Sequence, residues 1–292
     1  MAQVIGVLEQ GFIYAILALG VYITFRILDF PDMSVDSTFP LGAAITALMI
    51  SNGMHPLLTL PASILCGAIA GMLTGIIHVK LHVRDLLSGI IMMTALYSIN
   101  LHIAGRANIA LFGFDTLFKN DFAASVPAGI QPYYPVLLLF ILTLLCKFVM
   151  DFYLETRSGF LLKATGDNPT LVASLAKDSG KVKILGLSIA NALVSLSGCV
   201  MCQYQRYFDI SMGTGTLVLA VASVILGMQL LRGLRHLKAT TAVIVGSVLY
   251  KACVAFALSL GLSPFDLKLI TAVLLLIIII VGGKQKKVKY HA

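Results

Sequence analysis

The side chains able to carry catalysis or bind metal are few and poorly grouped. Cys199 and Cys202 form one CxxC pair, a spacing used for zinc or for thiol–disulfide exchange. No second pair and no neighbouring histidine completes it. All five cysteines (Cys66, Cys146, Cys199, Cys202 and Cys253) lie inside or at the ends of apolar runs, where a thiol serves as small apolar filler. His78 and His82 stand one helical turn apart, but beside Lys80 and Arg84 rather than carboxylates. There is no GxxxxGK[S/T] stretch to cradle nucleotide phosphates, and no Ser/His/Asp set falls within one loop. Catalytic residues, a metal site and a cofactor are therefore not expected. One polar cluster remains. Asp29, Asp32 and Asp36, interleaved with Ser34 and Ser37, can serve only if they are buried in protein or line a wet cavity.

The elements that must position this cluster are membrane helices. Of 292 residues, 59% are hydrophobic and only 12% charged, with a mean hydropathy of +0.96. A soluble domain carries about 25% charged residues, so a water-covered fold, a disordered chain and a disulfide-stapled domain are all excluded. Apolar runs at about 11–28, 39–53, 56–79, 88–105, 133–150, 183–202, 216–231, 239–260 and 266–282 make nine candidate crossings at about 20 residues each. The expected fold class is all-α: a polytopic membrane helical bundle of eight or nine transmembrane helices, with residues 1–292 as one domain. The second run is short and follows the polar stretch 29–37, as an interrupted helix beside a transport path would. Asn191, Ser195 and Ser197 beside Gly198 put small polar groups on a later span, for hydrogen bonds between helices or for the path itself. Ser34, Asp36, Ser37, Asn191 and Ser195 are accordingly the candidate path residues. Gly67, Gly71 and Gly75 recur every four residues and form a groove for another helix, from the same bundle or from a second copy. Lys251 lies too deep in its span to reach water and requires an acidic or carbonyl partner.

A net charge of +8 can signal nucleic acid, but here the basic residues sit in loops between apolar runs and report orientation instead. With the N-terminus outside, the inner loops collect fifteen Lys and Arg and the outer loops four. The C-terminus is therefore expected in the cytoplasm, and the protein in the plasma or inner membrane. No basic n-region precedes the first apolar run, which reads as a mature span. The longest cytoplasmic segment, 151–183, holds a short helix: Asp167 or Asn168 suits its N-cap, and Pro169 its first position. Leu171, Val172, Leu175 and Ala176 share one face. A helix that short is marginal alone and needs lipid headgroups or a cytoplasmic protein to pack against.

Taken in this order, the segments resemble the permease subunits of ATP-binding-cassette importers of the branched-chain amino acid and ribose type. The span beginning Leu8-Glu9-Gln10-Gly11-Phe12 is similar to that family's opening span. Asp32-Met33-Ser34-Val35-Asp36-Ser37 is similar to its Asp-Leu-Ser-Val-Gly-Ser element, with Asp36 where glycine is usual. Thr156-Arg157-Ser158-Gly159, through Gly166-Asp167-Asn168-Pro169 to Val182-Lys183, is similar to its cytoplasmic coupling segment. Val224-Ile225-Leu226-Gly227 resembles a later Val-Val-Leu-Gly-Gly element, with Met228 for the second glycine. The likeness covers residues from about 5 to 285. It implies that Gly166, Asp167, Asn168, Pro169, Leu171, Val172 and Leu175 couple the chain to cytoplasmic ATPase subunits. Further partners implied are an extracellular or periplasmic solute-binding protein, a second permease copy and the lipid membrane, with no nucleic acid. The solute implied is a small polar one, an amino acid, and the subgroup of predicted tryptophan/tyrosine importers is the most similar. The absence of tryptophan leans the same way, since a tryptophan scavenger is easier to make in starvation without that residue. The alternative, an ion-coupled secondary transporter, requires acidic or histidine carriers at mid-membrane, and Asp29, Asp32 and Asp36 sit at a span boundary.

Overall fold

An apolar segment away from water must satisfy its backbone N–H and C=O groups internally, and a helix does this within one segment. That requirement dominates the computed structural model. It describes residues 2–120, 131–168, 178–231 and 237–259, together with 125, 127, 129, 172, 269, 271–273, 275, 276 and 280. The helices are α1 (Ala2–Val21), α2 (Val35–Ser51), α3 (Thr59–Lys80), α4 (Asp85–Ala104), α5 (Tyr134–Leu154), α6 (Arg157–Asp167), α7 (Ser179–Gln205), α8 (Thr216–Leu230) and α9 (Ala239–Ser259). A π-helical stretch, Tyr22–Ile27, continues α1, and 3₁₀ turns at Pro56–Leu58, Gln131–Tyr133 and Ile210–Gly213 lead into α3, α5 and α8. Two short strands, β1 (Asn108–Ala110) and β2 (Tyr207–Asp209), pair antiparallel with Ile109 opposite Phe208. Among the described residues, seven helical segments are long and apolar enough to span a membrane, and α2 is a shorter apolar eighth. Most of the expected crossing at 266–282 lies outside the described residues, as do Pro169, Leu171 and Leu175.

The central helix is α7, 72% buried in its most apolar window and flanked by α1, α2, α3 and α6. Tyr204 near its end donates to Glu9 near the start of α1 (2.8 Å), and Ser197 donates to the Ile13 carbonyl (2.7 Å), so the two helices run antiparallel. Without a hydrophobic force between helices in lipid, contact depends on close backbone approach. Glycine permits it: a Cβ on Gly71 would overlap the Leu187 carbonyl, and one on Gly67 the Asn191 carbonyl. The stripe of Gly67, Gly71 and Gly75 therefore meets α7 of its own chain. Gly227 and Gly246 likewise bring α8 against α9, and Met228 sits within α8 rather than at a turn.

One helix escapes the sequence pattern. Residues 157–167 read as polar loop, yet they form α6, started by Thr156, whose hydroxyl accepts from Gly159 N (3.2 Å). Leu162 is fully buried at a notch opened by Gly186 of α7. A single well-placed leucine anchors a helix whose overall composition hides it. This elbow lies at the start of α7, and the N-terminus of α1 lies at the end of α7, so the two occupy opposite faces of the bundle.

Candidate translocation site

Helix α2 begins inside the bundle and α8 begins beside it, and the residues at these two starts carry the polar cluster. Asp32, 1% exposed, precedes α2. One of its carboxylate oxygens accepts from Ser34 N (2.9 Å) and Ser34 Oγ (2.6 Å), the other from Asn191 Nδ2 (2.8 Å). Asn191 is itself held by the Leu187 carbonyl (3.1 Å). A carboxylate removed from water is costly unless its oxygens are met by donors, and three donors meet this one. The network locks the start of α2 to the middle of α7.

The start of α8 is met from a distance in sequence. Asp36 Oδ1 accepts from Leu217 N (2.8 Å) and Thr216 Oγ1 (3.1 Å), and Oδ2 from Gly215 N (3.0 Å). A carboxylate here satisfies N–H groups that the helix itself cannot and suits the positive end of its dipole. This gives Asp36 a physical reason to stand where the resembled element carries glycine. Pro40, one turn on, has no N–H to give the Asp36 carbonyl, and Gly213 packs directly on that oxygen.

Beside these paired starts opens a cavity of about 700 Å³, within the range of small-molecule sites. Met33 lines it from the approach to α2, Asp36 and Ser37 from α2, and Ile210, Ser211 and Thr214 from the approach to α8. Its third wall is α4, through Met93, Thr94, Tyr97 and Ser98. Gly89, Met93 and Tyr97 share one helical face, and a Cβ on Gly89 would lie 2.7 Å from Met33 N. That close approach brings this face of α4 to the start of α2, and Asn100 Nδ2 reinforces it by donating to the Ser37 carbonyl (2.9 Å).

The five candidate path residues thus separate. Asp36 and Ser37 reach the cavity, whereas Ser34 and Asn191 belong to the buried Asp32 network. Ser195 is fully buried against Gly42, its hydroxyl without a partner among the described residues. Asp32, named in the polar cluster but not among the path residues, is the network's centre, and Met93, Thr94 and Tyr97 as cavity lining were missed by the sequence reading. The repeat Gly89, Met93, Tyr97 was the signal that could have found the α4 wall.

At the opposite face, Gly166 packs on the Ile27 carbonyl, Asp167 closes α6, and Asn168 accepts from Val172 N (3.4 Å). Val172, expected on a docking face with Leu171 and Leu175, is instead fully buried in its own chain. Its side chain therefore presents no surface to a partner. Asp178 caps α7 by accepting from Gly180 N (3.0 Å) and Lys181 N (3.2 Å), and these bonds, the latter foremost, hold its carboxyl below the usual range. Nearby, the buried Asp151 accepts from Lys147 of its own helix (2.9 Å) and from Thr240 Oγ1 (2.6 Å), the latter joining α5 to the start of α9. Lys238 bonds Glu155 (2.7 Å), which raises its ammonium above the ordinary value. Lys251 finds an amide and an aromatic face rather than an acid: Gln10 Oε1 at 3.4 Å and the Tyr14 ring at 3.9 Å.

A helix that begins within an apolar bundle beside the start of a second, a mixed polar and apolar cavity at the two starts, and an anchored elbow on one face define a membrane permease scaffold. The comparisons make this specific. Residues 3–282 match the family described as branched-chain amino acid transport system / permease component, and the chain belongs to it. It is 44% identical over 289 residues to the tyrosine transport system permease protein of Clostridioides difficile, covering 99% of this chain and 94% of that one. It is 26% identical over 235 residues to the ribose import permease protein RbsC of Escherichia coli, covering 78% and 69%. The probable branched-chain amino acid transport permease protein LivH of Methanocaldococcus jannaschii is 26% identical over 249 residues, covering 79% and 75%. The chain is a multi-pass membrane protein and the permease component of an ATP-binding-cassette importer, in a family of transporters rather than enzymes.

Proposed function

We propose that this permease imports an aromatic amino acid, tyrosine first among them, as a single domain working in a pair of copies. The observation that carries the reading is the match to a permease named for tyrosine transport, which runs nearly end to end in both chains. The thioethers of Met33 and Met93 and the ring of Tyr97 in the cavity suit an aromatic solute and support it. A separate binding protein delivers the solute at the face holding the start of α1. Two ATPase subunits sit at the opposite face, against α6 and the segment 168–177, with the C-terminus on that cytoplasmic side. Leu171 and Leu175 enter the ATPase groove while Val172 holds the segment to the bundle, and ATP-driven closure rocks the helices between outward and inward states. Gly166, Asp167, Asn168 and Pro169 belong to the same coupling segment.

The test is uptake of labelled tyrosine by cells with and without this chain, together with Leu171→Asp. Uptake should depend on the chain, and Leu171→Asp should abolish solute-stimulated ATP hydrolysis while the protein stays in the membrane. An ATPase subunit should co-purify with the wild-type chain. Equal uptake in the two strains rejects the solute, and unchanged stimulation rejects the docking role.

A further inference from the structure

The cavity at the starts of α2 and α8 carries a chemical preference of its own. Asp36 is its one carboxylate among the described lining residues, and none of those residues is a Lys, Arg or His. Both helix starts are already matched by carboxylates, α2 by Asp32 and α8 by Asp36, so neither dipole end is left to attract an anion. Among the described residues Asp36 Oδ2 accepts a single bond, from Gly215 N, and retains capacity for another donor.

Ser37 supplies an independent sign. It is 6% exposed, lines the cavity, and its hydroxyl has no protein partner among the described residues. A hydroxyl without a protein partner at a cavity wall is available to a ligand. Tyr97, by contrast, is 50% exposed and offers its ring to the cavity beside Met33 and Met93. A ring can meet these groups edge-on or against sulfur, while the carboxylate of Asp36 receives a cation.

We infer that this cavity is a selectivity site of the permease itself, taking an aromatic solute through its ring and its ammonium group, and leaving its carboxylate unread. The inference rests on the proposed aromatic amino-acid import and adds what the permease, apart from any binding protein, selects. In an amino acid the ammonium donates to Asp36 Oδ2, and the Ser37 hydroxyl serves the solute's polar edge.

The experiment measures binding of labelled L-tyrosine to the purified full-length chain in lipid nanodiscs. Tyramine, which keeps ring and amine, should displace it, and 3-(4-hydroxyphenyl)propionate, which keeps ring and carboxylate, should not. Tyr97→Ala should weaken tyrosine binding by about tenfold, and Ser37→Val should weaken it with the thermal midpoint unchanged. Asp36 also holds α8, so these two variants, rather than changes at Asp36, carry the test. Absence of saturable binding, displacement by the propionate as strong as by tyramine, or binding indifferent to both substitutions would overturn the inference. Uptake in cells expressing the intact transporter separates the two readings. Chain-dependent tyrosine uptake with no binding by the chain sinks the site and spares the import, whereas chain-independent uptake sinks both.

Discussion

The bond between Asn191 and Asp32 offers the sharpest quantitative test, because exchanging its partners should restore what breaking it removes. Asn191→Ala deletes the donor 2.8 Å from one Asp32 oxygen and leaves a buried carboxylate with donors only on the other. Hydrogen bonds to charged groups contribute about 1.5–3 kcal/mol, and an unmet buried acceptor adds its desolvation cost, so the loss should be about 2–3 kcal/mol. At about 2–4 °C per kcal/mol for chains approaching this size, the thermal midpoint should fall by roughly 4–12 °C. Asn191→Asp should fall further, since it sets a second carboxylate against Asp32 where like charges cannot both ionise. The double exchange, Asp32→Asn with Asn191→Asp, should recover most of the loss. Its amide can donate across the same gap, and Ser34 N and Oγ still find an acceptor oxygen. A thiol-reactive fluorogenic dye can follow the melt, because Cys146, Cys199 and Cys202 are free and buried until the bundle opens. A double exchange that melts no higher than Asn191→Asp alone would refute the pairing.

Three further expectations follow from the packing, the cap and the charge pattern. Gly71→Leu should abolish accumulation of folded protein in the membrane, because its side chain would collide with the Leu187 backbone, whereas Gly6→Leu, with open space around it, should be tolerated; quantitative blotting of membranes decides, and equal loss in both would discredit the helix contact. Asp178→Ala should lower the melting midpoint at neutral pH. The folded-state carboxyl titrates below its ordinary value, so its contribution is present above that value and fades as pH falls through the folded one; melts in acid should converge with the wild type. A reporter fused after residue 292 should read cytoplasmic and one before residue 1 external, and an external C-terminus would reverse the orientation.

The amino-acid sequence alone determined the class of protein. Hydropathy is a local property summed along the chain, so long apolar runs, the short interrupted second helix and the resemblance through residues 156–183 were visible without coordinates. The stripe of Gly67, Gly71 and Gly75 was visible too, but not that it faces α7 of the same chain. Helix α6 stayed hidden because one buried leucine, not a periodic apolar face, holds it. The tertiary structure alone decided the polar site. Asp32 meets Asn191 across 159 residues and Asp36 meets Leu217 across 181, and neither pairing leaves a trace in local pattern. The cavity likewise draws its walls from three separated segments, so its shape and chemistry exist only after the helices have packed. Apolarity says which residues leave water; which buried donor finds which buried acceptor depends on how the helices cross.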